Sequence, residues 1–242
     1  MDSKIDISDH ISHRYNDELE ALRNEVMAMG GLVERQLQDG LNALRKSNME
    51  LAEKVASADD EVNAKEIDID KQCTQILVRR QPAASDLRLV LTIIKTINDL
   101  ERVGDEAEKL GRYAIQLHRK NAKIGDFTEI KHLGTHVRTM LSKTLDAFIR
   151  MDVQLAIATI QSDDEINEEF DAIMRQLISK MMEDPRETKE ALRVLWAARA
   201  LERIGDHAKN ICEYVVYLVK GEDVRHTNLR VLLEERPELT DE

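Results

Sequence analysis

The octapeptide LERVGDEA at residues 100–107 returns as LERIGDHA at residues 201–208, with six of eight residues identical. A second pair of segments supports this match, because LAEKVASADDEVN at residues 51–63 and LAIATIQSDDEIN at residues 155–167 share six of thirteen residues. The two pairs are offset by similar distances, 101 and 104 residues. Similar segments at a nearly constant offset indicate an internal repeat. The chain is therefore predicted to contain two copies of one structural unit.

Each copy is predicted to contain three helices. Apolar residues between Leu89 and Leu117 recur every three or four positions, which is the spacing of one helix face. The same spacing extends over six segments, residues 12–46, 49–79, 85–119, 126–150, 152–182 and 187–219. Short connections make consecutive helices antiparallel neighbours. We predict an all-α protein of two tandem three-helix bundles, residues 1–123 and 124–221, and a tail, residues 222–242, with a helical turn at 229–233.

The composition agrees with an all-helical fold and limits the function. Aromatic residues make up 3% of the chain, which holds three prolines and nine glycines, whereas residues that favour helices are abundant. A formal net charge of −12 argues against nucleic-acid binding, which requires clustered Lys and Arg. Cys73 and Cys212 lie at apolar helical positions, which predicts buried thiols in a reducing compartment.

Neither a targeting segment nor a membrane-spanning segment is evident in the sequence. Residues 1–14 lack the apolar core of a signal peptide, and no apolar run approaches the ~18 residues of a spanning helix. We therefore expect a soluble cytoplasmic protein that meets a membrane only through its partners.

Acidic and amide side chains recur four residues apart in both copies. Residues at this spacing project from the same face of a helix. If the second and third helices fold back about Pro82, two such pairs lie at the same height on adjacent helices, and folding about Pro185 repeats the arrangement in the second copy. We name these groups the first and the second acidic cluster. The first consists of Asp59, Asn63, Glu101 and Asp105, and the second of Asp163, Asn167, Glu202 and Asp206.

Each acidic cluster offers three carboxylates and one amide as ligands. Carboxylates that share a site repel one another, so a cation or a basic side chain has to compensate them. Oxygen ligands suit Mg²⁺, Mn²⁺ or iron, whereas zinc fits less well because no Cys is near and His207 adjoins the second cluster alone. Alternatively, Arg102 and Arg203 compensate the carboxylates in a purely structural network of ion pairs.

The helical periodicity places the acidic clusters outside the core. At about 100° per residue, Glu101 and Asp105 point roughly 120 to 160° away from the centre of the apolar stripe, so we expect the clusters in surface grooves. A buried di-iron centre needs two Glu-x-x-His pairs, and Glu129–His132 is the one such spacing in the sequence. We predict no catalytic residues.

Three further positions carry structural expectations. Gly104 and Gly205 lie inside helices, where Gly costs up to ~1 kcal/mol relative to Ala, so a neighbouring helix or a ligand is expected to approach closely there. Alternatively, these positions simply need no side chain at a tight contact. Trp196 and the methionines occupy apolar positions and are expected in the core.

Three segments together resemble the repeats of the PhoU family. They are RQPAASDLR at residues 80–88, NDLERVGDEAEKLG at residues 98–111 and RALERIGDHAKNICEY at residues 199–214. The resemblance extends over residues 10–225 and implies tandem three-helix bundles whose E/D-x-x-x-D/N motifs bind metal clusters. It therefore implies that the eight residues of the two acidic clusters are metal ligands.

The resemblance also implies a function that the residues alone do not indicate. Members of the family are adaptors between a phosphate-importing ABC transporter and a membrane sensor histidine kinase, and they repress the phosphate-starvation response when phosphate is plentiful. We accordingly expect a regulator that is not an enzyme, and we expect a homodimer. A metal-dependent enzyme and a plain helical scaffold are the alternatives. An enzyme would need an open pocket with a base or nucleophile, and a scaffold would carry no metal.

Overall fold

The computed structural model describes residues 13–46, 48–82, 84–119, 128–225, 227 and 229–239. All regular secondary structure in these ranges is helical, which confirms the all-α prediction. The helices are α1 His13–Lys46, α2 Met49–Val55, α3 Asp59–Arg80, α4 Ala84–His118, α5 Thr128–Arg150, α6 Val153–Gln161, α7 Asp163–Glu183, α8 Thr188–Lys220 and α9 Leu229–Glu235, with 3₁₀ turns at Pro185–Glu187 and Pro237–Leu239.

The order of elements repeats along the chain. Helices α1 to α4 have 34, 7, 22 and 35 residues, and α5 to α8 have 23, 9, 21 and 33 residues, so in both repeats the second helix is the shortest and the fourth the longest. Helix α9 confirms the helical turn expected in the tail. The predicted boundary between the bundles, at residues 123 and 124, lies outside the described residues.

The second and fifth predicted helices are each divided in two, so the prediction of continuous helices there was wrong. The first division lies between α2 and α3, and the second lies at Ser162 between α6 and α7. The Ser57 hydroxyl donates a hydrogen bond to the Lys54 carbonyl at 3.2 Å, and the Ser162 hydroxyl donates one to the Thr159 carbonyl at 2.7 Å. Such side-chain bonds compete with the backbone bonds that continue a helix. After these divisions, α3 and α7 begin at Asp59 and Asp163.

Helices α4 and α8 form the most extensive helix pair, and they join the two bundles. Lys95 lies over the ring of Tyr214, and Glu106 pairs with Arg203. The residue number falls along α8 as it rises along α4, so the two helices run antiparallel. The core on both sides of this pair is apolar.

Both cysteines lie in the core, as predicted. Cys73 and Cys212 are completely inaccessible to solvent, and burial raises the pKa of each thiol to about 12. They pack as small apolar side chains in separate bundles.

Two residues expected in the core are exposed. Trp196 is 54% exposed and Met182 is 79% exposed, so the prediction was wrong for both. Trp196 lies one turn after Leu192 on an exposed stripe of α8, beside the buried stripe that contains Ala198 and Leu201. Apolar periodicity locates a helix face and does not fix where its edge lies. Within the described ranges, no helix is long and apolar enough to cross a membrane.

Candidate metal sites

The four residues of the second acidic cluster lie together between α7 and α8. The Asn167 amide donates a hydrogen bond to Asp163 Oδ2 at 3.2 Å. The negative charge of Asp163, from α7, also contributes to the raised pKa values of Glu202 and Asp206 in α8. Asp163 of α7 therefore lies near both carboxylates of α8.

This second cluster is more buried than the sequence indicated. Asp163 is 1% exposed and Glu202 is 7% exposed, so the expectation of an open surface groove was wrong for these two residues. At Gly205, an added Cβ would lie 3.4 Å from the Ile166 side chain and 3.7 Å from Asp163 Oδ1. These distances are ordinary van der Waals contacts, so the especially close approach expected at this glycine is not found.

Burial makes the charges of the second acidic cluster unfavourable. It raises the pKa of Glu202 to about 7, and the nearby Asp206 carboxylate adds to the shift while Arg199 opposes it. Burial also raises the pKa of Asp206, with a further contribution from Asp163. Carboxylates in this condition are stabilised by an added positive charge.

Two basic side chains of α8 supply part of that charge. Lys209 Nζ lies 3.0 Å from Asp163 Oδ2, and Arg199 Nη1 lies 2.5 Å from Glu202 Oε1. The sequence analysis did not identify either residue, although Arg199, Glu202 and Lys209 recur on one face of the helix. Arg203, which it did consider, makes its ion pair with Glu106 of α4 at 3.2 Å.

The other oxygen of each paired carboxylate is available to a cation. Asp163 Oδ1 and Glu202 Oε2 are both buried and accept no hydrogen bond from the described residues. Buried carboxylate oxygens normally have a partner, and a bound ion is one kind of partner that satisfies them. The chemistry of the second acidic cluster therefore fits a hard, oxygen-preferring cation.

The first acidic cluster is described only in part, because the side chain of Asp59 lies outside the described residues. Asn63, Glu101 and Asp105 are half-buried. Burial raises the pKa of Glu66 in α3, and the charges of Asp70 and Asp105 add to that rise. Asp105 therefore lies near α3. The approach of Asp59 to Asp105 stays a prediction.

Gly104 permits a close contact beside the first acidic cluster. An added Cβ would lie 3.3 Å from Gln36 Oε1 of α1 and equally close to Val62 of α3. The Gln36 amide donates a hydrogen bond to the Ala58 carbonyl at 2.7 Å, immediately before α3 begins. The predicted close approach is thus confirmed here, and Gln36 is a neighbour that the sequence analysis missed.

The second acidic cluster, all of whose residues the structure describes, is not arranged as a preformed metal site. Among the residues that the structure describes, no three His, Cys, Asp or Glu side chains stand close enough to hold a metal ion. In the second cluster, Lys209 and Arg199 hold carboxylate oxygens that an ion would need. A cation there would therefore share these carboxylates with Lys209 and Arg199.

His207, which follows Asp206 in the sequence, pairs with α4 through one nitrogen of its ring. Its Nδ1 lies 2.8 Å from Asp99 Oδ1 in α4. The Asp99 carboxylate also accepts hydrogen bonds from the Asn210 amide at 3.2 Å and the Tyr214 hydroxyl at 2.8 Å. This buried group links the two bundles. Glu129 and His132, the Glu-x-x-His spacing, are both exposed on α5.

The fold and the site define a class of protein: an all-helical tandem repeat that carries an acidic cluster between α7 and α8 of the second repeat. The PhoU domain model matches residues 26–114 and 130–215. The chain belongs to the PhoU domain family.

Characterised relatives and solved structures match nearly the whole chain. The phosphate-specific transport system accessory protein PhoU homolog of Pseudomonas aeruginosa is 48% identical over 97% of both chains. The corresponding accessory protein PhoU of Escherichia coli is 44% identical over 93% of both. The crystal structure of PhoU from Pseudomonas aeruginosa matches with a TM-score of 0.84 over 86% of this chain and 100% of that chain, at 48% identity. The regulatory protein PhoU from Streptococcus pneumoniae matches with a TM-score of 0.81 over 87% and 99%, at 30% identity.

Proposed function

We propose that this protein is an accessory and regulatory component of a phosphate-specific transport system. The observation that carries this proposal is the match to relatives of that name at 44 to 48% identity, which extends across both repeats. At this level of identity and coverage, the same arrangement of surfaces is expected in both proteins.

The finer proposal is an adaptor role in the cytoplasm. The protein contacts a phosphate-importing ABC transporter and a membrane sensor histidine kinase, and it acts as a homodimer that represses the phosphate-starvation response in abundant phosphate. Exposed apolar side chains at the tip of the second repeat, among them Met182 and Trp196, are suited to contacts with protein partners. No enzymatic activity forms part of this proposal.

The third part of the proposal is that the two acidic clusters bind a cation, which is Mg²⁺, Mn²⁺ or iron. Asp163, Asn167, Glu202 and Asp206 would hold it in the second cluster, and Asp59, Asn63, Glu101 and Asp105 in the first. A bound cation would supply positive charge to buried carboxylates. The orphaned oxygens of Asp163 and Glu202 support this proposal.

A plain helical scaffold is the second candidate function. The ion pairs Lys209–Asp163 and Arg199–Glu202 favour it, because they already compensate part of the buried charge. A quadruple variant, Glu101→Gln, Asp105→Asn, Glu202→Gln and Asp206→Asn, separates the two candidates. It removes four charges from the clusters and leaves the apolar core intact.

The quadruple variant is expressed in a strain that lacks the chromosomal gene, and a phosphate-starvation reporter is measured there. The metal content of the purified variant is measured in parallel. We expect a folded protein without metal and a reporter that is active in abundant phosphate. The control is Glu61→Gln, Asp68→Asn, Glu165→Gln and Asp171→Asn, four exposed residues of α3 and α7 that remove the same charge. Full repression by the metal-free variant would favour the scaffold. A reporter unaffected by loss of the gene would overturn the regulatory role.

A further inference from the structure

A cavity lies beside α8 in the second repeat, where the tail of the chain packs against the bundle. It has a volume of about 350 Å³, which is within the range of about 300 to 1,000 Å³ that ligand pockets occupy. Four parts of the chain meet in its lining, which includes Ile160 of α6, Asp164 of α7, Lys209 and Glu213 of α8, and Val224 and Leu229 of the tail.

Glu213 is a carboxylate of this lining that has no bonded partner. Among the described residues, none donates a hydrogen bond to it or forms an ion pair with it. The positive charges that act on Glu213 belong to Lys209 and Arg225. Lys209 Nζ bonds to Asp163 Oδ2 at 3.0 Å, and Arg225 Nε bonds to Asp223 Oδ1 at 2.9 Å. Both nearby cations are therefore held by other carboxylates.

The first repeat has a closed ion pair at the equivalent positions. At the offset of 101 residues, Glu108 and Arg112 take the places of Lys209 and Glu213. Glu108 and Arg112 form an ion pair along α4. The four-residue spacing would allow Lys209 and Glu213 to pair in the same way, but Lys209 bonds to α7 instead. The second repeat thus leaves a carboxylate in the cavity lining where the first repeat pairs it.

The charge of the lining favours a cationic ligand. Glu213 and Asp164 contribute two carboxylates, and the single ammonium group, that of Lys209, already bonds outside the cavity. Burial also raises the pKa of Glu213 to about 7, so a positive charge placed beside it would be favourable. An organic cation can supply this charge through one charge-assisted hydrogen bond, whereas a metal ion needs several ligands.

The apolar part of the lining indicates the body of the ligand. Ile160 and Val224 are buried, and Leu229 is half-buried. All three side chains are aliphatic, and the described lining contains no aromatic ring on which a planar ligand would stack. Methylene groups placed against such a surface are removed from water, which favours binding by about 25 cal/mol per Å² of buried apolar area.

We propose that this cavity binds an ammonium or guanidinium group on a short aliphatic chain, with Glu213 as its ion-pair partner. The chain of the ligand lies against Ile160, Val224 and Leu229, so the ligand contacts the tail as well as the helices. A free amine has this chemistry, and so does the Lys or Arg side chain of a partner protein. The site is independent of cation binding by the two acidic clusters.

NMR of the metal-free protein, labelled at Ile, Leu and Val methyl groups, tests the site with agmatine, which carries a guanidinium and an ammonium group on a butyl chain. The titration is run at about pH 8, where Glu213 is ionised. We expect agmatine to shift the methyl signals of Ile160, Val224 and Leu229. The neutral 1-pentanol, which offers the chain without the charge, is expected to bind about tenfold more weakly or not at all.

Glu213→Gln is expected to weaken agmatine binding about tenfold, because it removes the charged partner of the ligand. Glu165→Gln is the matched control, since Glu165 is exposed, adjoins Asp164 and does not line the cavity. It removes the same charge and is expected to leave the affinity unchanged. Leu229→Ala removes an aliphatic contact and should weaken binding about threefold, which decides the question if Glu213→Gln does not fold.

The same titration with Nα-acetyl-arginine amide distinguishes the two sources of the ligand. Tighter binding of this probe than of agmatine would assign the cavity to a side chain of a partner protein, and tighter binding of agmatine would assign it to a free amine. Unshifted methyl signals at about 10 mM of both probes would overturn the site. Equal agmatine affinity of the wild type and the Glu213→Gln protein would overturn it as well. Neither result bears on the transport role or on the acidic clusters.

Discussion

His207 Nδ1 lies 2.8 Å from Asp99 Oδ1, and this contact joins α4 of one repeat to α8 of the other. Asp99 is 3% exposed and His207 is 6% exposed. With Asn210 and Tyr214 as further donors, the carboxylate is surrounded by polar partners from α8. Removal of its charge leaves those partners without a strong acceptor.

Asp99→Asn is therefore expected to lower the free energy of unfolding by about 2 kcal/mol, because it replaces a charged acceptor that three groups contact. Urea denaturation measures this change. Tyr214→Phe removes one of the three hydrogen bonds and should cost about 1 kcal/mol. An Asp99→Asn protein as stable as the wild type would show that the buried group does not stabilise the contact between the repeats.

The pKa of Glu213 predicts a dependence of stability on pH. Burial raises this pKa from its ordinary value of 4.5 to about 7, so the folded state binds the proton more tightly than the unfolded state does. Stability from this residue is present below about pH 4.5 and is lost as the pH rises through about 7. Glu213→Gln should raise the thermal midpoint at about pH 8 and lose that advantage near pH 4.5. A difference in thermal midpoint between Glu213→Gln and the wild type that is the same at both pH values would contradict the prediction. Glu61→Gln, at an exposed position, is the control.

Substitution of alanine for Gly111 of α4 and for Gly205 of α8 should affect stability differently. At Gly111 an added Cβ would lie 2.8 Å from the Ala52 carbonyl oxygen and from the Ala56 nitrogen, both backbone atoms. Gly111→Ala should therefore destabilise the protein by about 1 to 3 kcal/mol. At Gly205 the nearest atoms belong to the Ile166 side chain, at 3.4 Å. Gly205→Ala should be nearly neutral, since alanine favours the helix by up to ~1 kcal/mol. Denaturation of both variants in parallel makes the comparison.

Divalent cations should stabilise the folded protein. A ligand that binds only the folded state adds about 2.7 kcal/mol at a concentration of about 100 times its Kd. For a chain of this length, that corresponds to a rise in the thermal midpoint of about 5 °C or more. The rise should occur with Mn²⁺ and should be absent from the quadruple cluster variant. An equal rise in both proteins would assign the effect to other surface carboxylates.

The sequence predicted those features that the two repeats share. Glu202 and Asp206 were identified because Glu101 and Asp105 occupy the same positions, and antiparallel packing then placed Asp163 opposite them. The comparison passed over Lys209 and Asp99, because the other repeat has Glu108 and Ala200 at these positions. Residues that differ between the two repeats can be assigned a role only when the structure shows which side chains they contact.

Local structure was missed for a different reason. Apolar spacing continues through Ser57 and Ser162, so periodicity alone indicates unbroken helices there. A serine hydroxyl donates a hydrogen bond to a carbonyl of the preceding turn at each division. Trp196 was misplaced because a helix that borders two bundles has a broad apolar face, and residues at its edge look like residues at its centre.

The contact between Asp99 and His207 shows how two repeats in one chain differ from a dimer of two identical single-repeat chains. In a symmetric dimer of identical three-helix units, the same residue would stand on both sides of the axis, and each contact would occur twice. Here the counterpart of Asp99 is Ala200 and the counterpart of His207 is Glu106. Covalent fusion frees each half to specialise. One half can carry the acid and the other the imidazole, and the two ends of the molecule become distinguishable to whatever binds them.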